Sequence, residues 1–230
     1  EVSARHHKNA TENPFAQFRK EIPAEAVSAS PKVADPLCML DCSPISDGAA
    51  AVILSTTPPQ SGSSARGEGS SARGSIKIIA SQLASDTLSI TDRPTITSFA
   101  ATKDAMGAAL EEAEIDRSQI NHIELHDCFS IAALISLEDM GFADPGHGID
   151  LYTKPLQSTI YNLQSINASG GLKACGHPVA ATGVKQVIDI AKQLKKNKTQ
   201  FGLAHNFGGA AATCGIHILE QDAQFVISNS

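Results

Sequence analysis

The chain has 230 residues, of which 42% are hydrophobic and 18% are charged. This length and composition suffice for a full hydrophobic core, which excludes a disordered tail or a small disulfide scaffold. Acidic residues outnumber basic ones by 24 to 18, and the formal charge of −6 argues against broad capture of nucleic acid or an anionic membrane. Neither a run of about eighteen apolar residues nor a signal-peptide core occurs, so we expect a cytoplasmic protein.

Five cysteines are scattered along the chain, an odd count that fits a reducing compartment better than a disulfide framework. Cys38 and Cys42 form a C-x3-C pair, but no second cysteine pair or closely spaced histidine pair accompanies it. We therefore expect no metal site, and the thiols are available for other chemistry.

The chain begins with about 35 polar, proline-interrupted residues, which predict loops and short helices lying on a larger body. An Asp-Gly turn at 47–48 leads into AAAVILS, a continuous apolar run typical of a strand covered on both faces. Residues 58–74 are rich in glycine and serine and contain the pentad SSARG twice. They predict a flexible insertion without a function of its own.

Beyond the insertion, strand-like and helix-like segments alternate, which predicts a layered α/β sheet. The strand-like runs are IKIIAS (76–81), TITSF (95–99), HIEL (122–125), GLAH (202–205) and the alternating stretch 213–219. Between them we expect three helices: one capped by Thr102, an apolar one that stops at Gly141, and one that begins at Pro178.

Three polar segments follow predicted strands, which is where open α/β sheets build their sites. They are His126-Asp127-Cys128-Phe129, the run from Asn167 to Pro178, and His205 to Gly209. His177 lies before a proline that predicts a helix start, and the dipole of that helix would oppose a charge on the ring. A neutral His177 could then take a proton from a thiol, although the ring could also simply cap the helix.

His126 and Cys128 are two residues apart, so they share a side if the strand continues through them. A histidine donor and a thiol acid or base would then face one ligand atom. A buried, inert thiol beside a hydrogen-bonded histidine is the alternative. Cys175 and His177 could also form a nucleophile and base, whereas a serine hydrolase is disfavoured because G-x-S-x-G is absent.

The segments IELHDCFS (123–130), INASGGLKACGHPVAATG (166–183) and LAHNFGGAAAT (203–213) resemble the C-terminal half of the thiolase family. The resemblance is strongest to archaeal acetoacetyl-CoA thiolases and to sterol-carrier-protein-type thiolases, which have His-Asp-Cys/Ala-Phe where other thiolases have Asn-Glu-Ala-Phe. NPFAQFRKEI (13–22) resembles the end of the family's loop domain, and LDCSPISDGAAAVIL (40–54) resembles the last strand of its N-terminal half.

This resemblance implies an α/β thiolase fold. Residues 1–39 would be a loop-domain remnant, residues 40–57 the last strand of the N-terminal half, and residues 75–230 a C-terminal βαβαβαββ half. The family is usually dimeric or tetrameric.

The resemblance also implies a reaction, either Claisen condensation of two acyl-CoA molecules or thiolysis of a 3-ketoacyl-CoA, with coenzyme A thioesters as substrates and no separate cofactor. His177 would activate the nucleophilic cysteine, His126 would form an oxyanion hole, and Cys128 would be the acid/base. Asn206 occupies the position of the second catalytic cysteine of many thiolases. Four further residues would contact substrate or coenzyme A: Ser43, Phe129, Gly170 and Gly208.

Two departures from the family pattern stand out. Ala180 replaces the glycine of GHPxGATG, and none of the five cysteines matches the family's Cys-x-Ser nucleophile motif, which lies in its N-terminal half. We therefore expect an N-terminal thiolase half or a complementary chain to supply the nucleophile, and the present chain to be inactive alone. The alternative is an inactive thiolase-like subunit that binds acyl-CoA or serves as a scaffold.

Overall fold

The structure is a computed structural model that describes residues 1–56, 75–156 and 161–222, so the duplicated SSARG segment lies outside the described residues. The helices are α1 (Val2–Ala10), α2 (Ala24–Ser28), α3 (Ala100–Ala113), α4 (Ser130–Asp139), α5 (Asp150–Thr153), α6 (Gly171–Cys175) and α7 (Thr182–Asn197). The strands are β1 (Lys32–Ala34), β2 (Leu37–Cys38), β3 (Ile76–Ser85), β4 (Ile120–Glu124), β5 (Ser165–Ile166), β6 (Phe201–Gly208) and β7 (Thr213–Gln221).

Five strands form one mixed sheet in the order β3-β7-β6-β4-β5. Strand β4 pairs in parallel with β5 and with β6, whereas β7 runs antiparallel to β3 and β6. The parallel strands β4, β5 and β6 therefore end at the same edge of the sheet. Counting α4 with α5, and α6 with α7, as single connections, the order from β3 to β7 confirms the predicted βαβαβαββ arrangement.

Helices cover both faces of the sheet. Ile123 of β4 and Leu203 of β6 belong to the main hydrophobic cluster under α3 and α4, whereas Ala204 packs with Ile190 and Leu194 of α7. Neighbouring residues of a strand point to opposite faces, so Leu203 and Ala204 enter different layers. The result is the layered α/β architecture that the alternating segments predict.

Strand β4 carries two buried polar side chains on the face toward α7. His122 Nδ1 lies 2.7 Å from Ser165 Oγ, and the Glu124 carboxylate accepts bonds from Ser169 Oγ at 2.6 Å and Gln193 Nε2 at 2.5 Å. Burial raises the pKa of Glu124, as does the nearby Asp189. These hydrogen bonds satisfy groups that would otherwise be costly to bury, so we assign the pair a structural role.

The N-terminal segment lies on this body as a set of short elements, which confirms the prediction for it. Helix α1 packs against α6, and Ala10 is completely buried there. A Cβ atom on Gly170 would lie 2.5 Å from Ala10 Cβ, and Gly170 also has a φ of +102°. Glycine at 170 is therefore required by the close approach of α1.

Two predicted strands are wrong. Residues 47–55 form no strand, and Ile53 is 97% exposed, because a strand covered on both faces needs neighbours and no described strand pairs with this segment. TITSF forms a bend instead. Ser98 Oγ and the Phe99 N–H donate to the Asp139 carboxylate at 2.8 and 2.5 Å, so side chain to backbone bonds replace a strand ladder.

Two predicted helix starts are displaced. Helix α3 begins after Phe99, and Thr102 lies in its first turn with Oγ1 3.2 Å from His205 Nε2, so Thr102 is not the cap. Helix α7 begins at Thr182, because the Pro178 carbonyl first closes a turn with the backbone N–H of residue 181. Helix α4 ends as predicted, before Gly141 with its φ of +76°.

Across the three described ranges, no helix has the length and apolar character needed to cross a bilayer.

Candidate active site

A cavity of about 670 Å³ lies where the parallel strands end. Most of its surface is apolar, with contributions from Phe99, Ile131 and Val179, which is typical of a site for an organic ligand. It is lined by six residues that the sequence predicts for the site: His126, Cys128, Phe129, His177, Asn206 and Gly208. Three segments that are far apart in the chain thus converge on one cavity.

The remaining two predicted residues, Ser43 and Gly170, are not among the residues that line this cavity. The Ser43 N–H donates to the Cys128 carbonyl at 2.8 Å, so Ser43 braces the site from outside it. Gly170 is buried against α1. Ala10 fills the space that the missing side chain of Gly170 leaves, and contact of Gly170 with a ligand stays a prediction.

His177 lies in the loop between α6 and α7, with its ring fixed by one hydrogen bond. Its Nδ1 atom lies 2.7 Å from Thr182 Oγ1, and the Thr182 hydroxyl itself donates to the Pro178 carbonyl at 3.1 Å. A hydroxyl has one proton, so His177 Nδ1–H must donate to Thr182 and the Nε2 atom is left as the acceptor. Burial lowers the pKa of His177. A neutral base therefore faces the cavity.

His126 is 5% exposed and lies directly against His177, with the ring centroids 4.8 Å apart and the planes nearly perpendicular. Its other face packs on Phe207 at 4.1 Å. Burial, with the neighbouring His177 as the second cause, lowers the pKa of His126 to about 4. Its Nδ1 atom is buried without a hydrogen-bond partner among the described residues. A neutral ring that lines the cavity suits the role of ligand contact.

Cys128 lines the same cavity as His126, although β4 ends at Glu124 and does not continue through the two residues as the sequence argument required. Burial raises the pKa of the Cys128 thiol to about 12, and the charge of Asp127 contributes to the rise. At neutral pH the side chain is therefore a thiol that can donate a proton.

Because the pKa of Cys128 is about 12, we expect its alkylation by iodoacetamide to rise about tenfold per pH unit from pH 7 to 10 in the folded chain. Peptide mass spectrometry of samples quenched at each pH measures the rate at this residue. The denatured chain is the control, in which the rate levels off near the ordinary thiol pKa. A plateau below pH 9 in the folded chain would contradict the raised pKa.

Asn206 completes the polar part of the site. Its Nδ2 atom donates to Gln186 Oε1 of α7 at 2.8 Å, which fixes the orientation of the amide, and the Asn206 side chain also raises the pKa of His126 through a hydrogen bond. The amide cannot serve as the acid/base that a cysteine at this position would be. It is suited to holding His126 and a ligand oxygen.

The proposed pairing of Cys175 with His177 lacks support from the structure. The Cys175 thiol donates to the Ser169 carbonyl at 3.3 Å and accepts from Asn13 Nδ2 at 3.1 Å, and it is not among the residues that line the site cavity. Burial raises its pKa. Cys175 is thus a packed thiol held by protein groups, which disfavours the Cys-His hydrolase alternative.

Sequence reasoning missed the groups that support the site from behind. Asp127 is 1% exposed, and its carboxylate lies 2.7 Å from the ring of His6, 121 residues earlier in the chain. His205 Nδ1 accepts the backbone N–H of His126 at 3.4 Å, and burial lowers the pKa of His205 to about 3. The HDCF and HNFGG patterns contain two of these residues, but nothing local to α1 signals His6.

The Asp127 carboxylate also explains why residue 171, the second glycine of the Ser-Gly-Gly run at 169–171, has no side chain. A Cβ atom on Gly171 would lie 2.6 Å from Asn167 Nδ2 and closer still to the Asp127 side chain, and the φ of Gly171 is +61°. The sequence suggests that clustered glycines let a ligand approach the backbone, but at Gly170 and Gly171 the approaching atoms belong to the protein.

Comparisons with known proteins agree with this architecture. The sequence profile described as thiolase C-terminal domain-like matches residues 83–221. The chain is 38% identical to the acetyl-CoA acetyltransferase of Methanothermobacter thermautotrophicus over 96% of this chain and 57% of that protein. It is 39% identical to the enzyme of the same name from Methanocaldococcus jannaschii, over 93% of this chain and 56% of that protein.

More distant relatives include sterol carrier protein 2 of Bos taurus, 32% identical over 90% of this chain and 39% of that protein. The solved structure of an Ltp2-ChsH2(DUF35) aldolase superposes with a TM-score of 0.73 at 18% identity, covers 96% of this chain and 57% of its own, and shows the shared fold. The chain spans about half the length of the acetyltransferases it matches. With more than half of its residues matched by the family profile, the chain belongs to the thiolase C-terminal domain-like family.

Proposed function

We propose that this chain is the C-terminal part of a thiolase-type acyl-CoA acyltransferase that cleaves or forms 3-ketoacyl-CoA. The observation that carries the proposal is the convergence of His126, Cys128 and His177 on one mostly apolar cavity at the ends of parallel strands. The identity of 38–39% to proteins named acetyl-CoA acetyltransferase supports the same class of reaction.

The chemistry assigns each group a step. In thiolysis a thiolate adds to the C3 carbonyl of the substrate, the C2–C3 bond breaks, and its electron pair forms the enolate of acetyl-CoA. His126 stabilises the enolate oxygen by a hydrogen bond, and the Cys128 thiol donates the proton that C2 then takes up. His177 Nε2 is the base that takes the proton from the attacking thiol. Coenzyme A then attacks the acyl thioester, its thiol proton passes to the Cys128 thiolate, and the released thiolate takes its proton back from His177.

The attacking thiol is proposed to come from an N-terminal thiolase half, joined to this chain or carried by a second one. The surface beside the site supports this, because large apolar side chains stand exposed there: Ile45 is fully exposed, and Val179, which lines the site cavity, is 79% exposed. Such a patch is typical of a surface that another protein segment covers.

A cytoplasmic location and a dimeric or tetrameric assembly complete the proposal. All five cysteines are free thiols, which is the usual state in a reducing compartment. The dimeric or tetrameric state is inferred from the family resemblance. Light scattering of the purified enzyme tests it.

The deciding experiment adds an N-terminal half that contains the Cys-x-Ser motif to this chain. We expect no thiolysis of acetoacetyl-CoA by the chain alone and turnover in the complex, followed as loss of acetoacetyl-CoA after addition of coenzyme A. The control is the same half with its motif cysteine changed to alanine, which should bind but not react. A folded complex that binds acyl-CoA without turnover would favour the alternative, a subunit that binds acyl-CoA or serves as a scaffold.

A further inference from the structure

A row of buried hydrogen bonds runs from α5 through α1 to the side chain of Asp127. In the HDCF segment, Asp127 lies between the two proposed catalytic residues, His126 and Cys128. The Tyr152 hydroxyl lies 3.2 Å from His6 Nε2, and His6 Nδ1 lies 2.7 Å from Asp127 Oδ2. The side chains of His6 and Asp127 are 0% and 1% exposed. A carboxylate only accepts hydrogen bonds, so His6 Nδ1 carries a proton and donates it to Asp127.

The same carboxylate also fixes the start of α6. It accepts the backbone N–H groups of Leu172 at 2.7 Å and Lys173 at 3.3 Å, and α6 leads directly to the His177 loop. Burial acts to raise the pKa of Asp127, but the charge and hydrogen bond of His6 and the two backbone groups outweigh it, so the pKa is lowered. An ionised carboxylate is thus held inside the core, where an uncompensated charge would be costly.

The charge of Asp127 reaches all three groups of the site. Burial is the largest influence on each, lowering the pKa of His126 and His177 and raising that of Cys128, and the Asp127 carboxylate raises the pKa of all three. A change in the ionisation of Asp127 would therefore also change the pKa values of the proposed base and acid.

We propose that His6 is a positioning residue for this site, holding the Asp127 carboxylate ionised and fixed beneath the catalytic side chains. The roles of those side chains rest on the proposed function, whereas the electrostatic link itself does not. His6 lies in the N-terminal segment, on a helix that packs against α6 from outside the sheet. That segment, which on its sequence is only a set of short polar elements, thus becomes part of the catalytic apparatus.

Other titratable and charged groups also act on this cluster, and they lie on several elements. They are Arg5, Asp41, Cys42, Glu124, Tyr152, Lys173 and His205. Their effects are common to all the variants below. The comparison between variants therefore isolates the contribution of His6.

The test uses the present chain without substrate, in four variants. Asp127→Asn removes the charge and keeps an acceptor for α6. His6→Ala removes the donor, and His6→Asn keeps an N–H donor near the Nδ1 position without a titratable ring. His7→Ala is the matched control, because His7 is a buried histidine on the same helix that bonds to the Lys20 carbonyl.

Two readouts report on the site. Proton NMR titration of the ring C–H signals, assigned with His126→Gln and His177→Gln, measures the midpoint of His177, and alkylation at pH 8.5 measures the thiolate of Cys128. In Asp127→Asn and His6→Ala we expect the His177 midpoint to fall and alkylation to accelerate by about threefold or more. His6→Asn should give intermediate values, and His7→Ala should match the native chain.

The inference fails if Asp127→Asn shifts both readouts while His6→Ala and His6→Asn leave them at native values. The inference also fails if Asp127→Asn changes neither the His177 midpoint nor the alkylation rate of Cys128, because the charge of Asp127 then has no effect on the two side chains. If His6→Ala does not fold, the conservative His6→Asn decides, because a native value there excludes control by the histidine. None of these outcomes depends on turnover, so they stay separate from failure of the proposed function.

In the reconstituted enzyme, the same link predicts a reduced kcat with little change in KM for His6→Ala, and a kcat between those of His6→Ala and the native enzyme for His6→Asn. A merely structural loss would lower the amount of folded enzyme without moving the pH profile of the remainder. Equal loss in His6→Ala and His7→Ala would assign both histidines to stability alone.

Discussion

Changing His177 to glutamine should lower kcat/KM for thiolysis of acetoacetyl-CoA by about a thousandfold in the reconstituted enzyme, within the range of roughly 10²–10⁴ for loss of a general base. The Nδ1–H of the ring is anchored on Thr182, which leaves Nε2 as the one basic atom that faces the cavity. Glutamine fills similar space but has no basic nitrogen. Steady-state rates at several acetoacetyl-CoA concentrations measure the effect.

The pH dependence of the native enzyme has a defined direction. Burial lowers the pKa of His177, and the ring must be neutral to accept a proton. Activity should therefore persist below the ordinary pKa of histidine and decline only as the pH falls through the lowered value. His147→Gln is a suitable control for His177→Gln, because His147 is exposed and pairs with Asp150 on α5. Retention of more than a tenth of native activity in His177→Gln would remove this residue from the mechanism.

Replacing Gly171 with alanine should destabilise the chain by about 2–4 kcal/mol, since it combines a left-handed backbone with an overpacked core. The φ of +61° is unfavourable for alanine, and its Cβ would overlap the Asp127 carboxylate and approach Asn167 Nδ2 to 2.6 Å. The displaced carboxylate would also release its bonds to His6 and to the start of α6. Urea unfolding followed by circular dichroism measures the change.

Gly107 offers a matched control for this substitution. It lies within α3, its φ is not in the left-handed region, and an added Cβ would meet nothing within 4 Å. Gly107→Ala should therefore stabilise the chain by about 0.5–1 kcal/mol, because alanine is the better helix former. Similar effects at both positions would show that Gly171 is not held by its contacts with Asp127.

Local sequence was sufficient for helices α3, α4 and α7 and for strands β3, β4, β6 and β7, but it did not predict α5, α6 or β5. Periodic apolar residues mark α4 and α7 and short apolar runs mark β4 and β6, because burial of one face imposes these repeats on the sequence. Local sequence was insufficient where a segment's structure depends on pairing with other segments. AAAVILS has the composition of a central strand but remains unpaired, because a strand depends on neighbours that its own residues do not specify.

The site divides in the same way. His126, Cys128, His177 and Asn206 were recognisable from polar motifs at strand ends, because parallel strands bring such ends to one edge of a sheet. The tautomer of His177 was not recognisable, since it follows from the Thr182 hydroxyl and the Pro178 carbonyl that the loop folds beside it.

Length, composition and motifs by themselves determined the α/β class, the family resemblance and six of the residues that line the cavity. Only the tertiary structure decided which buried groups support the cavity-lining residues, because hydrogen bonds between side chains far apart in sequence leave no local pattern. His6 and Asp127 are separated by 121 residues and meet only when α1 packs on α6. That contact places a buried charge next to the proposed catalytic side chains, where it acts together with burial on their pKa values.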